Sequence, residues 1–480
     1  MGFCYVFKEK YRPQFHFTPA KGWMNDPNGL IYYQGEYHLF YQHNPYSIHW
    51  DSMHWGHTVS KDMLHWKHLP IAYTPETEID DYFSGSSVLD ENNATGFFKP
   101  GETGMVNIFT HRDNGVQQQS IGYSADGLHF TRYLECVLPN PGCEDFRDPK
   151  VIWLKDKKRF LMALAVYDHV EFYTSKDLKK WTFYSKFGEL EGTHHGVWEC
   201  PDLFELPVRG TDEKRWVLLV NDQGSSKNQY FIGHFEGKKF VSENPRSLHL
   251  MLDGGTDNYA AQTFSNMPDD RCVFIGLMVA PNLFNCAPTT PWRSNLTLPR
   301  ELWLEETAEG IRLFQRPIEE VKSLRGEKIA LASQHVDRTQ RVTEHIAPQF
   351  DAELVIDVEK STSIQAGIQF CVGKSQEIVV SYDLQRQMLY VNRSMSGEMS
   401  YADNIPPYHE MKLRPRDGKI SLRILMDHCA LEVFDLNGEA AISAQVFPDA
   451  EQGEMHLFSR KGDTLFERLD VYAMNSIWED

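Results

Sequence analysis

Short apolar runs recur along the first two thirds of the chain, and long amphipathic helical patterns are nearly absent between them. The runs are YHLFY, MVNIFT, FLMALAV, WVLLVN and CVFIGLM, at residues 37–41, 105–110, 160–166, 216–221 and 272–278. Short apolar runs bounded by turn residues are typical of buried β-strands. The five runs therefore predict five sheets of one kind.

A turn motif repeats between these runs. SKDMLHW, SADGLHF and SKDLKKW, at residues 60–66, 124–130 and 175–181, each carry a serine, an aspartate two positions later and an aromatic residue four positions beyond that. Each copy predicts a β-hairpin with an aspartate in its turn. Because the internal spacing is the same in three copies, we favour a five-bladed β-propeller over a large β-sandwich with chance similarity among its turns.

The pattern changes after residue 315. The segment RPIEEVKSLRG, residues 316–326, predicts a short helix, because Pro317 can open it and Gly326 can end it. A polar stretch follows to about residue 346.

Alternating strands resume after this stretch, as in KISLRILM at residues 419–426, where Ile420, Leu422 and Ile424 alternate with polar residues. We therefore expect an all-β protein with a propeller over 1–315, a short helix and linker over 316–346, and a β-sandwich over 347–480.

Composition narrows the possible partners. The chain has 480 residues, 41% of them hydrophobic, and a net charge of −19 without a long basic run. Nucleic acid and an anionic membrane surface are therefore poor partners, and a neutral small molecule or oligosaccharide fits better. The first residues lack the apolar core of a signal peptide. We expect a cytoplasmic protein from the chain as given, and a secreted one if a signal has been trimmed; oligomeric state is not predicted.

Three acidic residues lie in similar local sequences in different predicted blades. Asp26 lies in WMNDPNG, Asp148 in DFRDPK and Glu199 in VWECPDLF, each with a proline shortly after and an aromatic residue shortly before. Since the inner strands of a propeller converge on its axis, the three carboxylates can meet at one mouth. Cleavage of a glycosidic bond needs such a meeting, with one acid to protonate the leaving oxygen and one to attack or to activate water.

Each acid taken alone has a simpler interpretation. Asp26-Pro27-Asn28-Gly29 has the composition of a turn, Arg147 and Asp148 can form a local ion pair, and Glu199 can end a strand. The catalytic hypothesis depends on the trio.

The early histidines raise the question of a metal site. His54 and His57 have a spacing that could hold a metal, but no helical pattern or adjacent acid supports one, and we predict no metal. His194 and His195, just before Glu199, are expected at the rim of the pocket.

These motifs resemble glycoside hydrolase family 32, the group of invertases, levanases, exo-inulinases and sucrose-6-phosphate hydrolases. WMNDPNG, FRDP and ECPD occur in the family's order, FYQHNP, MHWGH, FSGS and PWRS also match, and ALEVFDLNGEAAISAQVFP at 430–448 is similar to the C-terminal sandwich of the family. The resemblance implies a five-bladed propeller with an appended sandwich, and a retaining mechanism without a cofactor.

The resemblance also implies residue roles. Asp26 matches the nucleophile, Glu199 the acid/base and Asp148 the acid that stabilises the transition state. The matching positions that shape the fructose subsite are Asn25, Gln42, Trp50, Phe83, Ser84 and Arg147. The implied activity is that of a β-fructofuranosidase on sucrose and on inulin- or levan-type fructans.

The chain departs from the family pattern at three positions. Leu277 and Pro281 stand where tryptophans are expected, and His195 replaces a common glycine. These changes bear on the wall of the subsite, and the preference between β-2,1 and β-2,6 linkages is left open. The alternatives are a fructosyltransferase with the same covalent intermediate, a sucrose-6-phosphate hydrolase with a Lys or Arg beside its distal subsite, and a non-catalytic fructan-binding propeller.

Overall fold

A computed structural model describes residues 7–279, 285–373, 375–400, 405–449 and 453–478. Over these residues the protein is built almost entirely from β-strands, in five sheets that form a propeller and two that form a sandwich. The predicted all-β fold of a five-bladed propeller followed by a β-sandwich is confirmed.

The blades follow one another along the chain, and each has its innermost strand first. Blade 1 contains β1 (Gly22–Tyr33), β2 (Glu36–Asn44), β3 (His54–Ser60) and β4 (Lys67–Tyr73). Blade 2 contains β5 (Asp80–Asp90), β6 (Gly104–Asp113), β7 (Val116–Ser124) and β8 (Thr131–Arg132). Blade 3 contains β9 (Arg147–Leu154), β10 (Arg159–Val166), β11 (His169–Ser175) and β12 (Thr182–Phe187). Blade 4 contains β13 (Trp198–Pro207), β14 (Lys214–Asp222), β15 (Lys227–Glu236), β16 (Lys239–Ser242) and β17 (Leu250–Met251). Blade 5 contains β18 (Tyr259–Thr263), β19 (Cys272–Leu277), β21 (Arg300–Thr307) and β22 (Gly310–Pro317), and the chain between β19 and β21 forms β20 (Trp292–Arg293).

The five inner strands close a ring. β1 lies against β5, β5 against β9, β9 against β13, β13 against β18 and β18 against β1. The ring is also joined by hydrogen bonds, because β20 leaves blade 5 and pairs in parallel with β1, placing Gly22 opposite Trp292. The first and last blades are thus held together by main-chain pairing as well as by packing.

The continuous apolar runs arise because the middle strands of a blade are buried on both faces. In β10, Met162 and Leu164 pack towards blade 2, whereas Leu161 and Ala163 pack towards blade 4. β14 repeats this arrangement between blades 3 and 5. A strand that is buried on both faces has apolar residues at every position, so it lacks the alternation of apolar and polar residues that marks a half-exposed strand.

The repeated turn motif forms the hairpin that leads to the outer strand in blades 1, 2 and 3. Asp62 Oδ1 accepts hydrogen bonds from the amides of Leu64 and His65 at 3.0 and 2.9 Å. Asp126 and Asp177 accept the equivalent pairs of amides in their own turns. The shared spacing therefore has a structural cause, since an aspartate two residues after the serine caps the turn.

The sandwich consists of two sheets that face one another. One contains β23 (Arg325–Leu331), β24 (Gln334–Val336), β26 (Gln349–Asp357), β31 (Lys419–Asp427), β32 (Ala430–Asp435), β33 (Ala441–Gln445) and β35 (Thr464–Met474). The other contains β25 (Thr339–Thr343), β27 (Gln365–Val372), β28 (Glu377–Asp383), β29 (Met388–Met395), β30 (Tyr408–Lys412) and β34 (Glu454–Arg460).

The segment expected as a short helix and linker, 316–346, differs in part from that expectation. It contains a 3₁₀ helix, Glu319–Leu324, whose Val321 and Leu324 are buried, but β23, β24 and β25 follow and join the sandwich sheets. Their side chains are mostly exposed edge positions, so hydrophobic periodicity gives no signal for them.

Buried charges join the two domains. Arg300 of β21 is fully buried, and its guanidinium contacts Asp253 at 3.1 Å and Glu432 of the sandwich at 2.8 Å. Arg393 of β29 pairs with Asp257 from the propeller in the same way. Since a buried charge without its partner is strongly destabilising, these pairs fix how the domains pack.

Several buried histidines make the fold sensitive to acid. Burial lowers the pKa of His38, His43 and His68 to about 4. Their stabilising contribution is complete above the ordinary pKa of 6.5 and is lost as the pH falls from 6.5 towards 4, because the unfolded chain binds the protons first.

We therefore expect the free energy of unfolding to fall between pH 7 and pH 5, with each of these histidines lowering it by about 1.4 kcal/mol per pH unit between 6.5 and 4. The buried acids Asp148 and Asp435, whose pKa values are raised to about 7 and about 6, offset part of this fall, because the folded chain binds their protons first. Urea unfolding at the two pH values measures this. His38→Gln, which removes one titrating group, should show a smaller pH dependence. Equal stability of the parent protein at both pH values would contradict the expectation.

No helix among the described residues is long and apolar enough to cross a membrane. Every cysteine within the described ranges is a free thiol.

Candidate active site

All five inner strands carry a β-bulge at the same height. In each, two residues of the inner strand lie opposite one residue of the second strand. The bulged pairs are Asn25–Asp26, Phe83–Ser84, Asp148–Pro149, Cys200–Pro201 and Ala260–Ala261. A bulge bends the strand and re-aims its side chains. Because the strands surround one axis, the five bulges form a single mouth.

The first motif is a strand and not a turn. WMNDPNG lies within β1, and Pro27 pairs with Tyr41 of β2 after the bulge. The turn expected from Asp26-Pro27-Asn28-Gly29 is therefore wrong. Proline is tolerated here because a bulge interrupts the hydrogen-bond ladder. Trp23 is fully buried, and its indole Nε1 donates a hydrogen bond to Asn25 Oδ1 at 2.8 Å.

The three acids meet at this mouth. Cys200 connects two of them, since its amide donates to Asp148 Oδ2 at 2.9 Å and its thiol lies 3.6 Å from Asp26 Oδ2. Arg147 connects the third, with its Nη2 2.9 Å from Glu199 Oε1. Carboxylates from blades 1, 3 and 4 thus lie close together at the mouth of the propeller.

Asp26 is held by blade 2. Ser84 Oγ donates a hydrogen bond to Asp26 Oδ2 at 2.7 Å. Burial raises the pKa of Asp26; the Ser84 hydroxyl opposes this shift and the Glu199 carboxylate adds to it. A carboxylate that has few solvating groups and is fixed by one hydroxyl is well placed to attack an electrophilic carbon.

Asp148 lies deeper, and its backbone φ is 64°. Burial raises the pKa of Asp148 to about 7, the Arg147 guanidinium opposes the shift, and the Glu199 and Asp26 carboxylates reinforce it. Positive φ at a residue other than glycine is a strained conformation that clusters at functional sites. The strain turns this carboxylate towards the other two acids.

Glu199 is held on both oxygens. Arg147 contacts Oε1, and the hydroxyl of Tyr259 donates to Oε2 at 2.5 Å. Burial and the Glu199 charge raise the pKa of Tyr259 well above its ordinary value, so the hydroxyl keeps its proton and acts as the donor. The carboxylate is thereby fixed in orientation while both of its oxygens carry hydrogen-bond donors.

We predict that Tyr259→Phe lowers kcat for sucrose, the substrate that the family resemblance implies, by roughly tenfold and leaves KM nearly unchanged, because it removes one of the two groups that orient the Glu199 carboxylate. Tyr230→Phe is the matched control, since Tyr230 is a buried tyrosine of blade 4 in another hydrophobic cluster. Equal losses in both variants, or a change confined to KM, would contradict the prediction.

The residues predicted to bind fructose surround the acids. Asn25 and Gln42 are buried, and Gln42 Nε2 donates to the carbonyl of Tyr82 at 2.8 Å. Trp50 is 41% exposed, and its ring centre lies 6.1 Å from that of Phe83. Buried polar groups beside partly exposed aromatic rings are the side chains that a sugar-binding site needs.

An ion pair holds this aromatic rim. The Arg112 guanidinium lies over the Phe83 ring at 5.0 Å and the Trp50 ring at 5.7 Å, and it pairs with Asp81. Asp81 Oδ1 also accepts the amide of Met53 at 2.8 Å, which ties down the loop that carries Trp50.

Sequence reasoning missed Cys200, Tyr259 and Arg112. Cys200 follows Glu199 directly, and Tyr259 begins the inner strand of blade 5, so an alignment of the five inner strands could have found both. Nothing in the local sequence of Arg112 indicates its position over the rings.

The residues that depart from the family pattern lie in different environments. Leu277 is fully buried in the cluster that joins blades 1 and 5 to the sandwich, so it does not form part of an exposed wall. His195 lies near the surface, with Nδ1 2.9 Å from Asp222. Pro281 lies outside the described residues.

The histidines considered for a metal have other partners. His57 Nε2 lies 3.0 Å from His38 Nδ1, and His54 Nδ1 lies 2.6 Å from the carbonyl of Ser52. Among the residues described, no group of three or more His, Cys, Asp or Glu side chains is arranged to hold a metal ion.

Comparisons with known proteins agree with this architecture. The chain is 41% identical to the levanase of Bacillus subtilis (strain 168), over 98% of this chain and 72% of that protein. It is 37% identical to a levanase of Bacillus sp. (strain L7), but spans only 53% of that protein. It is 32% identical to the extracellular exo-inulinase of Aspergillus awamori, over 100% of this chain and 97% of that protein.

Solved structures match over nearly the whole chain. The exo-inulinase of Aspergillus awamori superposes with a TM-score of 0.92 at 31% identity, over 98% of this chain and 100% of that one. The β-fructofuranosidase of Schwanniomyces occidentalis, complexed with fructosyl-erythritol, superposes with a TM-score of 0.86 at 28% identity, over 98% and 99% of the two chains.

Family profiles cover the same region. The glycosyl hydrolases family 32 N-terminal domain matches residues 16–317, and the family 32 C-terminal domain matches residues 320–473. The chain therefore belongs to glycosyl hydrolase family 32.

Proposed function

We propose that the protein is a retaining β-fructofuranosidase that releases terminal fructose from sucrose and from fructans. The observation that carries the proposal is the meeting of Asp26, Asp148 and Glu199, from three blades, at the mouth of the propeller. The levanase and exo-inulinase relatives support the substrate class.

In the first step, the Asp26 carboxylate attacks C2 of the fructosyl unit while Glu199 protonates the leaving oxygen. Water, deprotonated by Glu199, then attacks the same carbon and releases fructose and Asp26. Asp148 stabilises the positive charge that develops on the sugar ring and binds fructose hydroxyls. Asn25, Gln42, Ser84 and Arg147 bind the ring, and Trp50 and Phe83 form its aromatic wall.

Domain roles follow from the position of the site. We propose that residues 1–315 form the catalytic unit, that 316–346 connects it to the sandwich, and that 347–480 supports the propeller through the buried ion pairs.

The experiment that tests the function is product analysis with sucrose, inulin, levan and sucrose 6-phosphate. Free fructose from the first three, with retained configuration at C2 in the first product seen by NMR, is the expected result. Inverted configuration would exclude a covalent intermediate on Asp26.

The same assay distinguishes two alternative enzymatic activities from the proposed one. A fructosyltransferase would form longer fructosides at high sucrose. A sucrose-6-phosphate hydrolase would prefer the phosphorylated substrate, but Arg112 at the aromatic rim is already paired with Asp81. Binding of fructan without turnover would indicate the non-catalytic propeller.

We predict that Trp50→Ala raises KM for sucrose about tenfold with a smaller effect on kcat, because it removes an exposed aromatic contact and no catalytic group. Trp153→Ala, at a position that is 36% exposed on β9 away from the bulge, is the control. An unchanged KM in Trp50→Ala would remove this residue from the subsite.

A further inference from the structure

A cationic cleft lies at the outer rim of the propeller, between blades 3 and 4. Its volume is about 390 Å³. Four of the side chains that line it are cationic, and they come from three separate segments: Arg159, Lys176, Lys180 and Lys238. The two blades touch here through Ser185 Oγ, which donates to the carbonyl of Lys238 at 2.6 Å.

These cations are not neutralised by neighbouring acids. Across the part of the chain that the structure describes, none of the four forms an ion pair with a carboxylate. The one acid that lines the cleft, Asp177, directs Oδ1 to the amides of Lys179 and Lys180, at 3.0 and 2.9 Å. Its carboxylate is thus used to cap a turn.

The local charge is opposite to that of the whole protein. Residues 155–186 contain eight Lys and Arg against four Asp and Glu, whereas the chain as a whole carries −19. A cluster of cations without ion pairs is therefore a local exception on an acidic protein. Such a positive patch raises the concentration of anions near the surface.

Aromatic and hydroxyl groups lie beside the cations. Phe183 is 50% exposed at the cleft, and the Lys238 ammonium lies 5.6 Å above the ring of Tyr184. Thr182 adds an exposed hydroxyl. A flat apolar ring with hydroxyls and cations around it offers contacts to the face, the hydroxyls and the acidic group of a sugar unit.

We propose that this rim cleft binds an acidic polysaccharide through its carboxylate or sulfate groups. Proteins that bind single-stranded nucleic acid hold it along a continuous basic groove. The cations here converge on one cleft instead, which favours a few acidic sugar units over nucleic acid. The cleft involves β12, the outermost strand of blade 3, whereas Asp148 lies on β9, the innermost. A polymer held at the rim leaves the catalytic mouth open.

The test measures binding of the full chain to four polymers: polygalacturonate, dextran sulfate, neutral dextran and single-stranded DNA. We expect binding to one or both acidic polysaccharides that weakens between low salt and about 0.15 M salt, where charges are screened beyond about 8 Å. Polygalacturonate against dextran sulfate distinguishes carboxylate from sulfate as the preferred group.

The variant Lys176→Gln, Lys180→Gln, Lys238→Gln should weaken this binding by roughly tenfold to a hundredfold. The matched control is Lys99→Gln, Lys214→Gln, Lys360→Gln, which removes the same charge from exposed lysines that lie outside the cleft and already pair with an acid. We expect less than about a twofold change there. All six positions are exposed or on turns, so melting temperatures should be unchanged.

Four results would overturn the proposal. They are no binding of the unmodified protein to either acidic polysaccharide at low salt, equal binding of neutral dextran, tighter binding of DNA than of both polysaccharides, and equal losses in the two triple variants. Sucrose turnover is not a readout here, so failure of this proposal is distinct from failure of the catalytic one.

Discussion

Asp26→Asn should abolish sucrose hydrolysis, lowering kcat by about 10⁴-fold or more while the protein stays folded. The amide keeps the size of the carboxylate and can still accept the hydrogen bond from Ser84, but it cannot form the covalent bond to C2. Fructose release under saturating sucrose measures the effect, and Asp26→Ala checks it with a side chain that cannot revert by deamidation.

Stability should move in the opposite direction from activity. Because burial raises the pKa of Asp26 above its ordinary value, the ionised form costs free energy in the folded state at neutral pH, and this cost is relieved as the pH falls. A neutral amide removes the cost. We therefore expect Asp26→Asn to melt at the same temperature as the parent protein or higher at pH 7.

The control for this prediction is Asp435→Asn. Asp435 is a buried acid of the sandwich, and burial raises its pKa to about 6. The same chemical change at that position should leave kcat unaltered. If Asp26→Asn retained near-normal turnover, or if both variants lost activity together, the assignment of the nucleophile would be wrong.

The second large effect is expected on stability. Arg300→Met should lower the free energy of unfolding by about 3–5 kcal/mol, because it leaves Asp253 buried without its ion-pair partner and leaves Glu432 with only the more distant His16, at 3.9 Å. The loss should appear as a lower urea midpoint, with the propeller and the sandwich affected together since the pair spans both.

Arg316→Met is the matched control. Arg316 also lies on blade 5 and pairs with Glu301 at 2.8 Å, but its side chain is 39% exposed. We expect a cost below about 1 kcal/mol there. Equal costs in the two variants would show that burial of the Arg300 pair has no special weight.

Much of the architecture could be predicted because it is repeated. The two-sided burial of strands such as β10 produced continuous apolar runs, and the Asp62 type of turn produced a motif with constant spacing. Both signals are local in sequence and recur by blade. The strands β23 and β25 gave no such signal, since they lie at sheet edges with mostly exposed side chains.

The three acids of the candidate site could be predicted from the sequence, but the residues that hold them and the aromatic rim in place could not. Asp26, Asp148 and Glu199 occur in distinctive local sequences, whereas Tyr259 and Arg112 act through partners from other blades. The sequence gives no sign of the bulges, and Asp26-Pro27-Asn28-Gly29 predicts a turn, because a bulged strand that contains proline and glycine has the same composition as a loop.

The pairing of β20 with β1 has a consequence for synthesis on the ribosome. Gly22 is synthesised well before its partner Trp292, which follows four complete blades, and the carbonyl of Gln14 accepts a hydrogen bond from the amide of Ile477 at 2.8 Å. The inner edge of blade 1 therefore stays unpaired until β20 has been synthesised, and an unpaired strand edge slows folding and favours aggregation. Polypeptides truncated within the sandwich should accordingly accumulate as insoluble material.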